Sequence, residues 1–330
     1  MKVGLIGYGA VGKEFIKLVY EKNLPIDFKY ILKSDGGIFN KDSLDLREII
    51  DKDIKKNKNW INKLTFENIK NQDIDYLIEL TSTNIETGEP ALSFIKTALS
   101  KGINVVTGNK GPILLEYKNL KAISESTGAY LGIGCTVGGA LPSISLGEYG
   151  AKGAEIKEIQ GVLNGTTNYI LNAMRCENKS YEEALKHAQH IGIAEKNPYL
   201  DVEGYDTAIK TIILSNALMG SDLTLKDAEI EGITNVSLED IKRADEKGRK
   251  IKLVGQAIEE SGKIKVRVKP IEVDEDSPLF FIEGKNKGVF YKTDILGDVT
   301  VIGGASSPRN AAAAVLRDIY INEDWREEYG

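Results

Sequence analysis

The chain has 330 residues, a net charge of −6, two cysteines and two histidines, and its length suffices to bury about three quarters of the unfolded surface, more readily as two domains than as one. The acidic balance, without a lysine/arginine block, argues against a nucleic-acid partner, and with neither a long apolar run nor a charged-then-apolar leader no membrane role is expected. The expectation is a cytoplasmic protein acting on a small molecule; Cys135 and Cys176 are too few for a disulfide framework, and no Cys-x-x-Cys or His-Glu-x-x-His spacing suggests zinc.

Residues 2–6, Lys-Val-Gly-Leu-Ile, read as a strand running into Gly7-Tyr-Gly9-Ala10-Val11-Gly12, and apolar residues at helical spacing follow at Phe15, Ile16, Leu18 and Val19. In this strand, turn and helix, Gly7 permits the tight bend, Gly9 lets a pyrophosphate approach the backbone, and Gly12 lets the helix pack close to the strand. Gly7, Gly9, Ala10, Val11 and Gly12 are therefore the expected phosphate cradle, with the anion on the helix N-terminus. A second strand, Phe28–Leu32, ends in Lys33-Ser34-Asp35. A lysine there suits the 2′-phosphate of NADP, while Asp35 keeps NAD open as the cofactor; Lys33 as a plain surface lysine is the competing reading. The lysine-rich stretch Asp51–Lys63 reads as a solvated helix face or loop.

Two further strands are expected at Tyr76–Leu80 and Asn104–Thr107, separated by a helical pattern over Pro90–Leu99. Their tips, Thr81-Ser82-Thr83-Asn84 and Thr107-Gly-Asn-Lys110, lie at the carboxyl ends of an open α/β sheet, where ligands bind. Thr81 and Ser82 are thus cofactor candidates, and Lys110 is a catalytic and cofactor candidate weighed against a surface lysine. The segment from Gly132 to Pro142 is too rich in glycine for a regular element and too apolar for an exposed linker, so a buried turn near a ligand is expected. Cys135 within it reads as a small core residue, with a nucleophile on an aldehyde as the competing chemistry. His187 and His190, one helical turn apart in a polar stretch, are expected in solvent.

From Glu155 the pattern changes to mixed strands and helices: a strand at Ile156–Val162, then helices at Asn168–Cys176 and Tyr181–Ile191. The small polar turn Asn164-Gly-Thr-Thr-Asn168 suits a helix cap and a polar wall for a substrate, including Thr166. Residues 197–210 gather Asp201, Glu203 and Asp206 before Lys210, and Thr207–Gly220 has helical spacing. Asp206 and Lys210 are four apart and so share a helix face; an ordinary surface pair is the competing reading. Strand patterns at Lys263–Pro270 and Gly288–Leu296 extend a second sheet that would serve as a homodimer surface.

Together these residues resemble the homoserine dehydrogenase family over nearly the whole chain. The motif around its catalytic lysine is matched by Ala188, Gly192, Asn197-Pro198, Asp201, Gly204, Asp206 and Lys210. Thr87-Gly-Glu-Pro90, Val105-Val-Thr-Gly-Asn-Lys110-Gly-Pro112 and Asn164-Gly-Thr-Thr-Asn168 match as well, in the family's order. The resemblance implies an α/β protein: a Rossmann-type dinucleotide-binding domain over 1–133, to which a C-terminal helical segment 303–330 returns, and an α+β substrate and dimerisation domain over 134–302. It implies reversible NAD(P)H-dependent reduction of L-aspartate 4-semialdehyde to L-homoserine, in the pathway toward threonine and methionine. Lys210 matches the proton donor, Asp201 an acid that supports it, and Lys110 the other active-site lysine. Glu195 and Asp206 match carboxylates near the substrate's amino group, and Gly192 and Gly303 match backbone positions near the cofactor.

The sequence also departs from the family. A glutamate that helps bind a monovalent cation is often found at the position of Gly134, which leaves the backbone carbonyls of Val137, Gly139 and Leu141 as the implied sodium ligands. After Gly303 the late glycine stretch is altered to Gly-Ala-Ser-Ser-Pro-Arg309. Some relatives carry a C-terminal threonine-sensing domain, whereas this chain ends about ten residues beyond the helical pattern Ala311–Ile319, so no regulatory domain is expected.

With hydride supplied by a nicotinamide, the protein must provide the proton and the geometry. A half-buried lysine near a helix N-terminus gives up its proton more readily, while Asp201 and Asp206 oppose that loss. The competing readings are a semialdehyde dehydrogenase using Cys135 and a dinucleotide-sensing regulator, for which no helix-turn-helix pattern is present.

Overall fold

Alternation of apolar and polar residues builds two separate sheets, and in the computed structural model they belong to two units. The structure describes residues 1–304 and 307–323. The first unit comprises 1–136 and 307–323, the second 137–304. Ala305, Ser306 and residues 324–330, part of the returning segment expected at 303–330, lie outside the described residues.

In the first unit the sheet order is β4 (Trp60–Asn62), β3 (Gly36–Phe39), β2 (Asp27–Lys33), β1 (Lys2–Ile6), β5 (Tyr76–Glu79), β6 (Asn104–Thr107), β7 (Leu131–Gly132). The run from β2 to β7 is parallel, and β3 and β4 extend it as antiparallel edge strands. Parallel strands covered on both faces need nearly continuous apolar runs, which β1 and β5 supply. Phe15 and Ile16 of helix Ala10–Glu21, Phe28 and Ile31 of β2, and Val315 and Ile319 of helix Pro308–Asn322 fill one core with Leu5 and Ile78. Order reverses between β1 and β5, so the strand ends there form the crevice that this topology uses for ligands. The stretch Asp51–Lys63 differs from its expectation as a solvated helix face or loop. It holds a short 3₁₀ turn at Ile54–Lys56, with Ile54 buried, and then β4, which pairs with β3. That partner is distant in sequence, so local charge patterning does not reveal the strand.

In the second unit the order is β13 (Asp298–Gly303), β12 (Lys287–Thr293), β8 (Ile156–Val162), β10 (Lys250–Glu260), β11 (Lys263–Val273), β9 (Ala228–Ile230). All neighbours are antiparallel except β11 and β9. Helices Gly165–Glu177, Tyr205–Leu218 and Leu238–Glu246 pack on this sheet, burying Ile170, Met174, Ala208 and Ile241 against Leu253 and Val268. Gly255 lets helix Tyr205–Leu218 approach, since a Cβ there would stand 2.0 Å from the Thr211 hydroxyl. Side chains alternate across a strand, so Gln256 and its partner Gln160 point to the other face, where Gln256 donates to Glu158 at 2.5 Å. Among the described residues no helix is long and apolar enough to cross a membrane.

Candidate active site

In the first unit the glycine turn follows β1 directly. Gly7 has a φ of +99°, and a Cβ on it would meet the Leu80 carbonyl carbon at 2.3 Å, so only glycine fits. Gly12 packs against the Gly7 carbonyl, where a Cβ would lie at 2.2 Å. Gly9 caps the helix, and nothing lies within 4 Å of a Cβ built there. The backbone beside Gly9 is thus open to an anion, next to the unpaired N–H groups of Ala10, Val11 and Gly12.

A cavity of about 530 Å³ opens beside this turn, lined by Gly7, Lys33, Ser34, Thr81 and Ser82, with Leu64, Phe66, Pro90 and Phe94 as its apolar wall. The size and the mix of apolar walls and few polar groups suit a nucleoside. Asp35 stands one residue beyond Ser34, but its carboxylate is paired with Lys55, which holds its pKa below the usual carboxylate range.

The tips of β5 and β6 are fixed by a residue outside the sequence-based candidates. Glu79 is fully buried and accepts from the Thr81 backbone N–H at 2.8 Å and the Thr107 hydroxyl at 2.9 Å, as well as from the Thr81 hydroxyl. Burial pushes its pKa up, against those hydrogen bonds. Asn109 adds the second brace: its amide donates to the Thr81 hydroxyl at 3.2 Å and the Ser82 carbonyl at 3.3 Å, and its oxygen caps helix Lys110–Thr127 at Gly111 N–H. Thr81, Ser82 and Lys110 are therefore set by one buried network, with Lys110 at the first helical position.

In the second unit β8 runs out at Val162, and Leu163 and Asn164 lead into helix Gly165–Glu177. Lys210 donates to the Leu163 carbonyl at 2.8 Å and to Asp206 Oδ2 at 2.5 Å. Asn164 donates to the same Asp206 oxygen at 2.9 Å and to Asp201 Oδ1 at 2.6 Å, while its own oxygen caps the helix at Thr167 N–H, 2.9 Å away. One amide thus joins both aspartates. Asp206 is buried in the first turn of helix Tyr205–Leu218, where the helix dipole favours a carboxylate. Gly204, with a φ of +85°, makes the bend that turns the short helix Tyr199–Val202 into that longer one.

The remaining candidates are placed as follows. The Thr166 hydroxyl donates to the Ile193 carbonyl at 3.2 Å, tying the start of helix Gly165–Glu177 to the loop that carries Gly192 and Glu195. Gly192 adopts a φ of +73° after helix Tyr181–His190, and Glu195 is exposed on the loop that follows. Gly303 ends β13 with a φ of +140°. Val137, Gly139 and Leu141 lie in a buried bend, where the Val137 carbonyl accepts from the Ser143 hydroxyl at 2.9 Å. Cys135 packs against the first unit's core and donates to the Ala311 carbonyl. His187, expected in solvent, is half-buried and bonded to the Tyr169 hydroxyl at 3.0 Å; its partner lies on the preceding helix, 18 residues away. Lys287, a buried lysine, went unread because its Gly138 partner is 149 residues away; for Glu79, whose bonds reach Thr81 two residues on and Thr107 across the sheet, an acid ending an apolar strand was the available signal. Among the described residues no group of three or more His, Cys, Asp or Glu side chains is placed to hold a metal.

Comparison with known proteins adds a third line. The profile described as Homoserine dehydrogenase matches residues 142–320. The chain is 38% identical to the homoserine dehydrogenase of Methanocaldococcus jannaschii, covering 97% of both. It is 34% identical to the NAD(+)-dependent homoserine dehydrogenase of Pseudomonas canavaninivorans, over 96% of this chain and 95% of that one. A hyperthermophilic archaeal homoserine dehydrogenase mutant in complex with NADPH superposes with a TM-score of 0.83 at 27% identity, covering 96% of each chain.

Proposed function

The chain belongs to the homoserine dehydrogenase family, and on that premise we propose how its residues divide the reaction. It is an NAD(P)-dependent oxidoreductase that interconverts L-homoserine and L-aspartate 4-semialdehyde. When bound, the nicotinamide cofactor supplies or takes up the hydride. Gly7, Gly9, Ala10, Val11 and Gly12 cradle its pyrophosphate, Thr81 and Ser82 bracket the nucleoside cavity, and the family resemblance marks Gly192 and Gly303 as backbone positions for the cofactor.

Lys210 gives the proton. An ammonium has three donors; among the described residues two are directed to Leu163 and Asp206, and the third serves the substrate oxygen. As the aldehyde carbon receives hydride, the carbonyl π pair moves to oxygen, and Lys210 hands its proton to the resulting alkoxide. In the reverse direction the neutral amine takes that proton from the alcohol. Asp206 orients Lys210 and, with Glu195, offers carboxylate to the substrate's ammonium. Asp201 acts on the same centre through Asn164, Thr166 lines the substrate side, and Lys110 is the second lysine. The observation that carries this reading is the bonding of Lys210 to both a main-chain carbonyl and a buried carboxylate, which fixes its nitrogen in one place. NADPH oxidation with L-aspartate 4-semialdehyde tests it: turnover by the native protein and its absence with simple aliphatic aldehydes is the expected result.

With Asp35 paired to Lys55 and Glu67 to Lys70, Lys33 is the cation among the residues lining the nucleoside cavity, so NADP is the favoured cofactor and NAD the weaker one. Lys33→Ala should raise the KM for NADPH about tenfold and leave that for NADH nearly unchanged, in keeping with about 1.5 kcal/mol for a charge-assisted contact. The protein works in the cytoplasm as a homodimer through the sheet face bearing Gln160 and Gln256, and light scattering of the eluted protein should give twice the chain mass.

A further inference from the structure

Lys287, the first residue of β12, is 4% exposed, and its ammonium donates to the Gly138 carbonyl at 2.7 Å. A buried cation requires nearby oxygen dipoles or anions to offset its lost hydration. The bend it enters is rich in them: Gly138 and Gly139 have φ values of +83° and +63°, so carbonyls crowd one short segment. This is the segment whose Val137, Gly139 and Leu141 carbonyls the family resemblance marks for a monovalent metal ion.

Three observations set this chain apart from that arrangement. The Gly138 carbonyl, between two of those ligands, already accepts from an ammonium. The Val137 and Leu141 carbonyls accept from the side chain and backbone N–H of Ser143, at 2.9 and 2.8 Å. The anionic ligand is also absent: at Gly134 a Cβ would stand 2.4 Å from Asp318 Oδ1, and the Gly134 N–H donates to Asp318 Oδ2 at 2.7 Å. A glutamate there would displace Asp318, whose carboxylate is engaged by the Gly134 N–H, and the carbonyls of the bend by themselves offer a metal ion only neutral oxygens beside the Lys287 ammonium.

We propose that the Lys287 ammonium is the built-in cation of this bend and takes the place of a bound Na⁺ or K⁺, so that the protein is independent of monovalent metal ions. The placement couples it to catalysis as a positioning residue. Gly288, next along β12, is paired with Val162, and Val162 precedes the Leu163 carbonyl that holds Lys210. The inference rests on the reading of the chain as a homoserine dehydrogenase only through the marking of the bend.

The test compares melting in sodium, potassium and tetramethylammonium chloride at equal ionic strength, and needs no substrate, so its outcome is separate from that of the activity assay. The native protein should melt identically in all three, and its turnover should vary by less than about twofold. Lys287→Ala should melt lower in tetramethylammonium and recover saturably with sodium or potassium, as a ligand binding only the folded state requires. Saturable stabilisation of the native protein by Na⁺ or K⁺ would overturn the proposal, and so would a variant that melts as the native protein does or is weakened equally in every salt. If Lys287→Ala does not fold, ²³Na relaxation of the native protein decides: potassium-displaceable broadening refutes the proposal, and its absence supports it.

Discussion

Two strand ends in this protein close on buried carboxylates, and they differ in what faces the charge. At the end of β5, Glu79 is surrounded by hydroxyls and a main-chain N–H, and burial raises its pKa. Beyond β8, Asp206 meets an ammonium and an amide on one oxygen. The first arrangement ties neighbouring strand tips together. The second holds a group with a transferable proton in a fixed position. A buried acid without a counter-charge is costly to ionise and serves as a brace, whereas one paired with a lysine aims that lysine.

Substitutions can break this contrast or sharpen it. The largest effect is expected for Lys210→Ala, which removes the proposed proton donor and should lower kcat about 10²–10⁴-fold, the usual worth of a positioned acid. Fluorescence titration should show NADPH affinity close to native; a matching loss of affinity would place the lysine with the cofactor instead. Asp206→Asn keeps the shape and removes the charge that aligns Lys210. A loss of about 1.5–3 kcal/mol, or about ten- to hundredfold in kcat, is expected from steady-state rates.

Glu79→Gln should leave kcat within about twofold, with its effect on stability. Because burial holds the native pKa above the ordinary value of 4.5, the folded chain binds more protons than the unfolded one between those two values. The contribution of Glu79 is thus fully present below the unfolded pKa and lost as pH rises through the native one. Urea unfolding across that window should show a declining stability that Gln flattens. The smallest effect concerns Lys252, buried and bonded to the Asn168 oxygen at 3.0 Å, with its pKa lowered by burial to about 8. Its depressed pKa makes stability rise with pH from about 8 to 10.5, and Lys252→Met should remove that rise in melting curves.

Much of this was readable from the chain itself. Gly7-Tyr-Gly9-Ala10-Val11-Gly12 announces its turn because each glycine answers a local steric need, and Asp206 and Lys210 announce their contact because helical spacing puts them on one face. Asn164 was legible as a helix cap, since that role lies within three residues. Its second role, donating to Asp201 and Asp206, spans 37 and 42 residues and leaves no local trace. The same distance hid the pairing of β4 with β3 and the reach of Lys287 into the glycine bend, 149 residues away. Local periodicity encodes elements and faces; it does not encode which loops meet.

The double duty of Asn164 makes the Thr167 amide a reporter. Its hydrogen bond to the Asn164 oxygen persists only while that side chain stays turned toward the helix, the same orientation that keeps the two aspartates joined. Hydrogen exchange at that one amide would therefore register each time the proposed catalytic cluster loosens, in protein that has never met its substrate.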